Sequence, residues 1–124
     1  MEGRADPGLV QVTSMFDDEA AALELAEGAV QARLAASAQV EGPITSVYRL
    51  EGEIHREREW RLVLKTRPAL VDHLVLHVRA LHTCDVPEII VTPIVGAGIE
   101  YAAWATGGHD EPTRRTARSP GALS

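Results

Sequence analysis

Cysteine is nearly absent: Cys84 is the only one in 124 residues, so no disulfide can form within the chain. A reducing compartment, the cytoplasm by default, suits such a protein. Lysine is equally scarce, with eleven arginines against the single Lys65. There is no excess of positive charge. The formal net charge is -6, which excludes the clustered cationic footprint that nucleic-acid binding is built on. No apolar run approaches the roughly 20 residues needed to span a bilayer. The segment Met1-Glu2-Gly3-Arg4-Ala5-Asp6-Pro7-Gly8 lacks the apolar core of a secretion signal, so neither membrane insertion nor export is expected. Also missing are a nucleophile elbow, a phosphate-binding glycine loop and a pair of acids at catalytic spacing, and the expectation is therefore a protein that is not an enzyme.

What is present is a 45% hydrophobic chain of single-domain length, enough for one core. Residues 9–15 read as a strand, because β-branched residues precede the acidic helix start Asp17-Asp18-Glu19. Leu23, Ala26, Val30 and Leu34 recur at spacings of three and four and predict a helix over about 18–36. Gly42-Pro43 breaks the pattern, and 44–50 predicts a strand. Glu51-Gly52-Glu53 predicts a hairpin turn, with Gly52 supplying a positive φ. The returning strand, 55–66, alternates Trp60, Leu62, Leu64 and Thr66 with Arg61, Val63 and Lys65. Pro68 suits a helix start, with Leu70, Val71, Leu74, Val78 and Leu81 on one side. A strand over 88–94 and a short helical segment with Tyr101 and Trp104 follow.

This order is the split βαβ pattern, which predicts an α+β, ferredoxin-like βαββαβ sandwich with a long β-hairpin. Residues 1–8 are expected to be a flexible N-terminal segment, 9–106 the domain, and 107–124 a disordered C-terminal tail rich in Gly, Pro and polar residues. Three Arg and two acids give that tail +1 and leave -7 for the remainder. Two helices cover one face of a four-stranded sheet, yet the first and last strands carry apolar residues of both parities. Burial against copies of the same chain is the simplest answer.

Three ligand-type residues sit close together in Leu81-His82-Thr83-Cys84-Asp85. Imidazole and thiolate suit copper or zinc, and Asp85 can add an oxygen donor. The other reading has His82 capping the end of the preceding helix and Cys84 packed as small apolar filler. His73 and His77, four apart on the second helix, have the spacing for a shared metal but no third ligand nearby. His55 and His109 have no partner identifiable from sequence.

The stretch 81–94, with Val86-Pro87-Glu88-Ile89, resembles the His-Pro-Tyr-Glu-Val-Pro-Glu-Ile signature of the divalent-cation tolerance (CutA) family. Arg33-Leu34-Ala35-Ala36, Ser46-Val47-Tyr48-Arg49-Leu50-Glu51-Gly52-Glu53 and Lys65-Thr66 are similar to its other signatures, in the same order. The resemblance implies a homotrimer in which hairpins reach across to neighbours, kinship in shape with PII-type signalling proteins, and a role in the response to divalent metal ions. It also implies copper at the positions of Ser14 and His82, of which this chain keeps only His82. Ser37, Leu50 and Thr83-Cys84 replace the family's Cys, Trp and Pro-Tyr.

Copper or another divalent metal at His82, Cys84 and Asp85, not required for folding, is one expectation. The alternative is a PII-like sensor or interaction module that binds a small metabolite or a protein partner at an inter-subunit cleft. Tyr48, Arg49, Glu51, Lys65 and Glu88, all in or beside motif-like segments, are its candidate residues. Ion pairing within and between protomers is the plainer role for the same charges.

Overall fold

The computed structural model describes residues 3–110. The chain runs β1 (Gly3–Ala5), β2 (Val10–Phe16), α1 (Glu19–Gln31), β3 (Ser37–Leu50), β4 (Glu53–Thr66), a 3-10 turn leading into α2 (Val71–Leu81), β5 (Ile89–Pro93), β6 (Gly96–Gly98) and α3 (Ile99–Thr106). The main sheet is antiparallel with the order β3-β4-β2-β5, the arrangement of a ferredoxin-like α+β fold.

Alternation along β2 and β4 sorts their residues between two faces. Val12, Phe16, Leu62 and Leu64 are buried with Leu25, Ala26 and Ala29 of α1 and with Leu74 and Val78 of α2. The two polar residues on this face are satisfied locally. Ser14 donates to the Glu88 carbonyl at 2.7 Å and Thr66 to the Leu34 carbonyl at 2.7 Å, so neither hydroxyl carries an unpaired buried group.

Several elements depart from expectation. Helix α1 begins as predicted, its N-cap Asp18 accepting from the Ala20 amide. It stops at Gln31, five residues early, where Arg33 takes a left-handed φ of 61° and the Leu34 amide turns back to the Ala29 carbonyl. Its buried side is also rotated: Ala22, Leu25, Ala26 and Ala29 face the sheet, while Leu23 and Val30 are exposed. Small side chains let the helix sit close to the strands.

β3 starts at Ser37 and runs through Gly42-Pro43, which forms a bulge between Glu41 and Ile44 and does not end the strand. The hairpin turn is as predicted, with Glu51 and Gly52 at φ 51° and 81°, the pair of positive values of a two-residue hairpin. Part of the segment expected to be flexible is paired, since Gly3–Ala5 runs antiparallel to Gly96–Gly98. Gly108–Asp110 closes a 3-10 turn, and the rest of the predicted tail, 111–124, lies outside the described residues.

The face away from α1 and α2 is more polar than the two-sided apolar reading requires. Cross-strand rows place Ile90, Thr13, Val63 and Gln39 side by side, then Thr92, Gln11, Lys65 and Ser37. Leu9 clusters with Ile94, Ala36, Ala105, Tyr101 and Trp104, so α3 covers one end of that face. The hairpin strands are 14 residues each, against a usual five or six. β2 pairs only with the Trp60 to Thr66 part of β4, so residues 53–59 and their partners on β3 project roughly 20 Å beyond the body.

Candidate functional site

The loop after α2 is built around His82. Pairing of β2 with β5 ends at Ser14 and Ile89. One residue further on, the Met15 carbonyl receives a hydrogen bond from His82 Nε2 at 2.7 Å. The Cys84 backbone amide donates to His82 Nδ1 at 3.0 Å. An amide is only a donor and a carbonyl only an acceptor, so the ring is held with its proton on Nε2. It also stacks on Phe16, with centroids 4.2 Å apart and planes 27° apart. His82 is thus a strut joining the end of β2 to the loop, and both nitrogens that could bind a metal are committed.

Cys84 is exposed. Local desolvation and the carboxylates of Asp17 and Glu59 push its thiol above the ordinary value, which disfavours the thiolate that copper or zinc requires. Among the described residues no group of three or more His, Cys, Asp or Glu side chains converges as a metal site. His82, Cys84 and Asp85, adjacent in sequence, therefore do not form a closed site within one chain, and the donor set does not fit a four-coordinate metal without further ligands. Ser14, the other position that the resemblance links to copper, has its hydroxyl bound to the Glu88 carbonyl.

The second group of candidates is dispersed in the protomer. Tyr48 lies on the projecting hairpin, donates to Glu57 at 3.1 Å and stacks on His55 at 5.5 Å. Reduced hydration and that acidic partner raise its phenol above the ordinary range. Arg49 and Glu51 are at the hairpin tip. Lys65 sits ten residues along β4 from the partner of Tyr48, on the order of 30 Å away, and donates to Gln39 at 3.1 Å. Glu88 contributes its backbone carbonyl to Ser14. One chain does not bring these five residues together.

His73 is exposed, and His77 turns inward until its Nε2 is shielded from water beside Gly28 of α1. The pair is a helix flank with no third ligand among the described residues. The structural roles of Met15 and Phe16 around His82 leave no mark in the sequence, because one acts through its backbone and the other has the look of an ordinary core aromatic. Ser14 and Thr66 were detectable as polar residues interrupting apolar alternation.

Both edges of the main sheet lie beside apolar grooves. Along β3 a groove of about 450 Å³ is lined by Leu23, Ala26, Val30, Ala38 and Val40, and also by Glu27 and Gln31. Along β5 one of about 350 Å³ is lined by Val75, Val86, Pro87, Ile89 and Val91, and also by the charged Arg79 and Asp85. Free edge strands present unpaired backbone groups, so these two margins are where another strand can add.

Residues 10–107 match the sequence profile of the CutA1 divalent ion tolerance protein family. The chloroplastic protein CutA of Arabidopsis thaliana is 39% identical over 98 residues, covering 79% of this chain and 53% of that protein. The divalent-cation tolerance protein CutA of Thermus thermophilus is 37% identical over 86 residues, covering 69% of this chain and 84% of its own length. The chain thus spans about half the length of the plant relative. Among solved structures, CutA from Synechococcus elongatus superposes with a TM-score of 0.79 at 30% identity, covering 84% of this chain and 92% of that one. CutA1 from Oryza sativa gives 0.75 at 36% identity, covering 78% and 89%. With its sheet order, long hairpin and motif-bearing segments all inside the matched region, the chain belongs to the CutA1 divalent ion tolerance family.

Proposed function

We propose that this is a non-enzymatic protein of the divalent-metal response that works as a homotrimer in the cytoplasm. The observation that carries the reading is the family match over residues 10–107, on a fold whose two free edges each lie beside an apolar groove. The edge at β3 differs from the edge at β5, so a contact that joins one edge to the other is head-to-tail, and such a contact either closes into a ring, as in a trimer, or propagates. The projecting hairpin supplies a second surface for a neighbour. The raised thiol of Cys84 makes that residue a weak nucleophile near neutral pH. An exposed single cysteine also suits a reducing compartment.

Copper, if carried by the 82–85 loop, would be taken by Cys84 and Asp85 with donors from a second copy, because His82 has no nitrogen to offer without breaking its two hydrogen bonds. Folding does not depend on metal in this reading, since a buried apolar cluster joins the sheet, α1 and α2, and the buried hydroxyls of Ser14 and Thr66 on that face donate to backbone carbonyls. Native mass spectrometry of protein purified without chelator tests the proposal: a trimer mass is expected, with copper uptake weakened by Cys84→Ser. A monomer mass would end the architectural part. Unfolding on removal of metal would end the claim that metal is dispensable.

A further inference from the structure

Three basic residues meet around one small cavity at the end of the domain away from the hairpin tip. Its volume is about 210 Å³, and Arg33, Arg67 and His109 line it together with Thr66, Thr106 and Leu70. None of the described residues lining it is acidic. In a chain of net charge -6 this is a local reversal of sign, and a recess lined by one sign of charge concentrates ions of the other. The cavity shares no lining residue with the grooves at the β3 and β5 edges or with the projecting part of the hairpin, so it stands apart from the surfaces through which copies would meet.

The walls are fixed by the fold of one chain. The Ala36 amide donates to the Lys65 carbonyl at 2.8 Å and the Thr66 hydroxyl to the Leu34 carbonyl at 2.7 Å. These bonds hold the segment after α1 against the end of β4 and bring Arg33 and Arg67 to the same recess. The third wall is the turn after α3, where the His109 ring meets Trp104 edge-on at 5.8 Å. Arg33 follows α1 with a φ of 61°, a position where glycine is usual because it takes that conformation without strain. An arginine there keeps a cationic side chain at the cavity while straining the backbone. Arg67 precedes the 3-10 turn that leads into α2, and that turn has no acidic residue to neutralise it.

We infer that this cavity binds a phosphate group, free or as the monoester of a small molecule. A guanidinium offers five N–H groups in a planar fork that matches phosphate oxygens, so Arg33 can keep its other contacts and still donate to an anion. Arg67 approaches from a different wall, and the imidazole of His109 adds an N–H. The hydroxyls of Thr66 and Thr106 are committed as donors to the Leu34 and Ala102 carbonyls, each at 2.7 Å. The hydrogens an anion accepts therefore come from the three basic side chains. Two fixed guanidinium charges suit a phosphate monoester, which carries close to two negative charges at neutral pH, better than a singly charged carboxylate. Leu70 and the small side chains of Ala35, Ala36 and Ala105 leave apolar wall for the carbon atoms of an ester.

The site is independent of the metal reading, and isothermal titration calorimetry of the full chain in phosphate-free buffer at constant ionic strength tests it. Inorganic phosphate and glycerol 3-phosphate are the probes, with acetate as the singly charged comparison. Saturable binding at one site per chain is expected for at least one phosphate, and the tighter of the two tells a free ion from an esterified group. Affinity should fall by roughly tenfold or more, the weight of one charge-assisted hydrogen bond, in Arg33→Gly and in Arg67→Gln. It should be kept in Arg79→Gln, which changes an exposed arginine on α2 outside the cavity. Arg33→Gly should match or exceed the wild-type urea midpoint, since glycine relaxes the backbone there, so its loss of phosphate is not a loss of fold. Arg67→Gln gives a second reading on an exposed side chain that leaves that turn untouched. No saturable binding of either phosphate, acetate bound as tightly, affinity unchanged in both cavity variants, or equal loss in Arg79→Gln would overturn the inference.

Discussion

Replacing His82 with alanine separates the structural role of this residue from a metal-binding one. Three interactions disappear together: the hydrogen bond from Nε2 to the Met15 carbonyl at 2.7 Å, the one from the Cys84 amide to Nδ1 at 3.0 Å, and the stack on Phe16. Each hydrogen bond contributes about 1 kcal/mol net, and the ring contact about 0.5–1.5 kcal/mol beyond its burial. The expected loss is then roughly 2–4 kcal/mol, a large share of a domain's usual stability. Urea unfolding reads it, since with a slope of about 2 kcal/mol per molar the midpoint falls by about 1–2 M. Protein concentration has to be held fixed, because subunit association contributes to apparent stability.

His82→Asn refines the measurement. Its side-chain oxygen can take the place of Nδ1 as acceptor for the Cys84 amide, so only the Met15 bond and the stack are lost and the midpoint should lie between wild type and alanine. Copper titrations run in parallel should show little change in either variant. An alanine variant of wild-type stability whose copper affinity collapses would refute the reasoning and restore His82 as a ligand.

Two further outcomes follow from the geometry. Gly42→Ala places a Cβ 2.7 Å from Trp60 Cδ1 and 3.0 Å from the Glu59 carbonyl at a φ of 154°; it should cost roughly 1–3 kcal/mol in denaturant unfolding, and a change below about 0.5 kcal/mol would show that the bulge yields freely. The rate of Cys84 alkylation by iodoacetamide should still be rising with pH where an ordinary thiol has levelled off, because desolvation and then Asp17 and Glu59 hold the proton on; Asp17→Asn and Glu59→Gln should each lower the midpoint, and a midpoint at or below that of free cysteine would remove the electrostatic account.

The fold was legible because its information is periodic. Leu62 and Leu64 at a spacing of two, Leu74 and Val78 at a spacing of four, and Gly52 at the turn each announce an element through one local rule. The errors fall where two local rules compete. Around Arg33 the alanine-rich sequence favours continued helix, but a left-handed arginine ends it. At Gly42-Pro43 a turn-like pair is absorbed as a bulge, because the neighbouring strand and the close approach of Trp60 hold it in the sheet.

The candidate site was the least legible part, for a related reason. His, Cys and Asp within four residues look like a donor set on paper, but donor capacity is decided by hydrogen bonds to backbone groups from elsewhere in the fold, here the Met15 carbonyl and the Cys84 amide. Side-chain identity cannot reveal that commitment. His82 is spent on joining β2 to the loop after α2, so a metal held there would have to rely on Cys84 and Asp85 together with donors from a second copy.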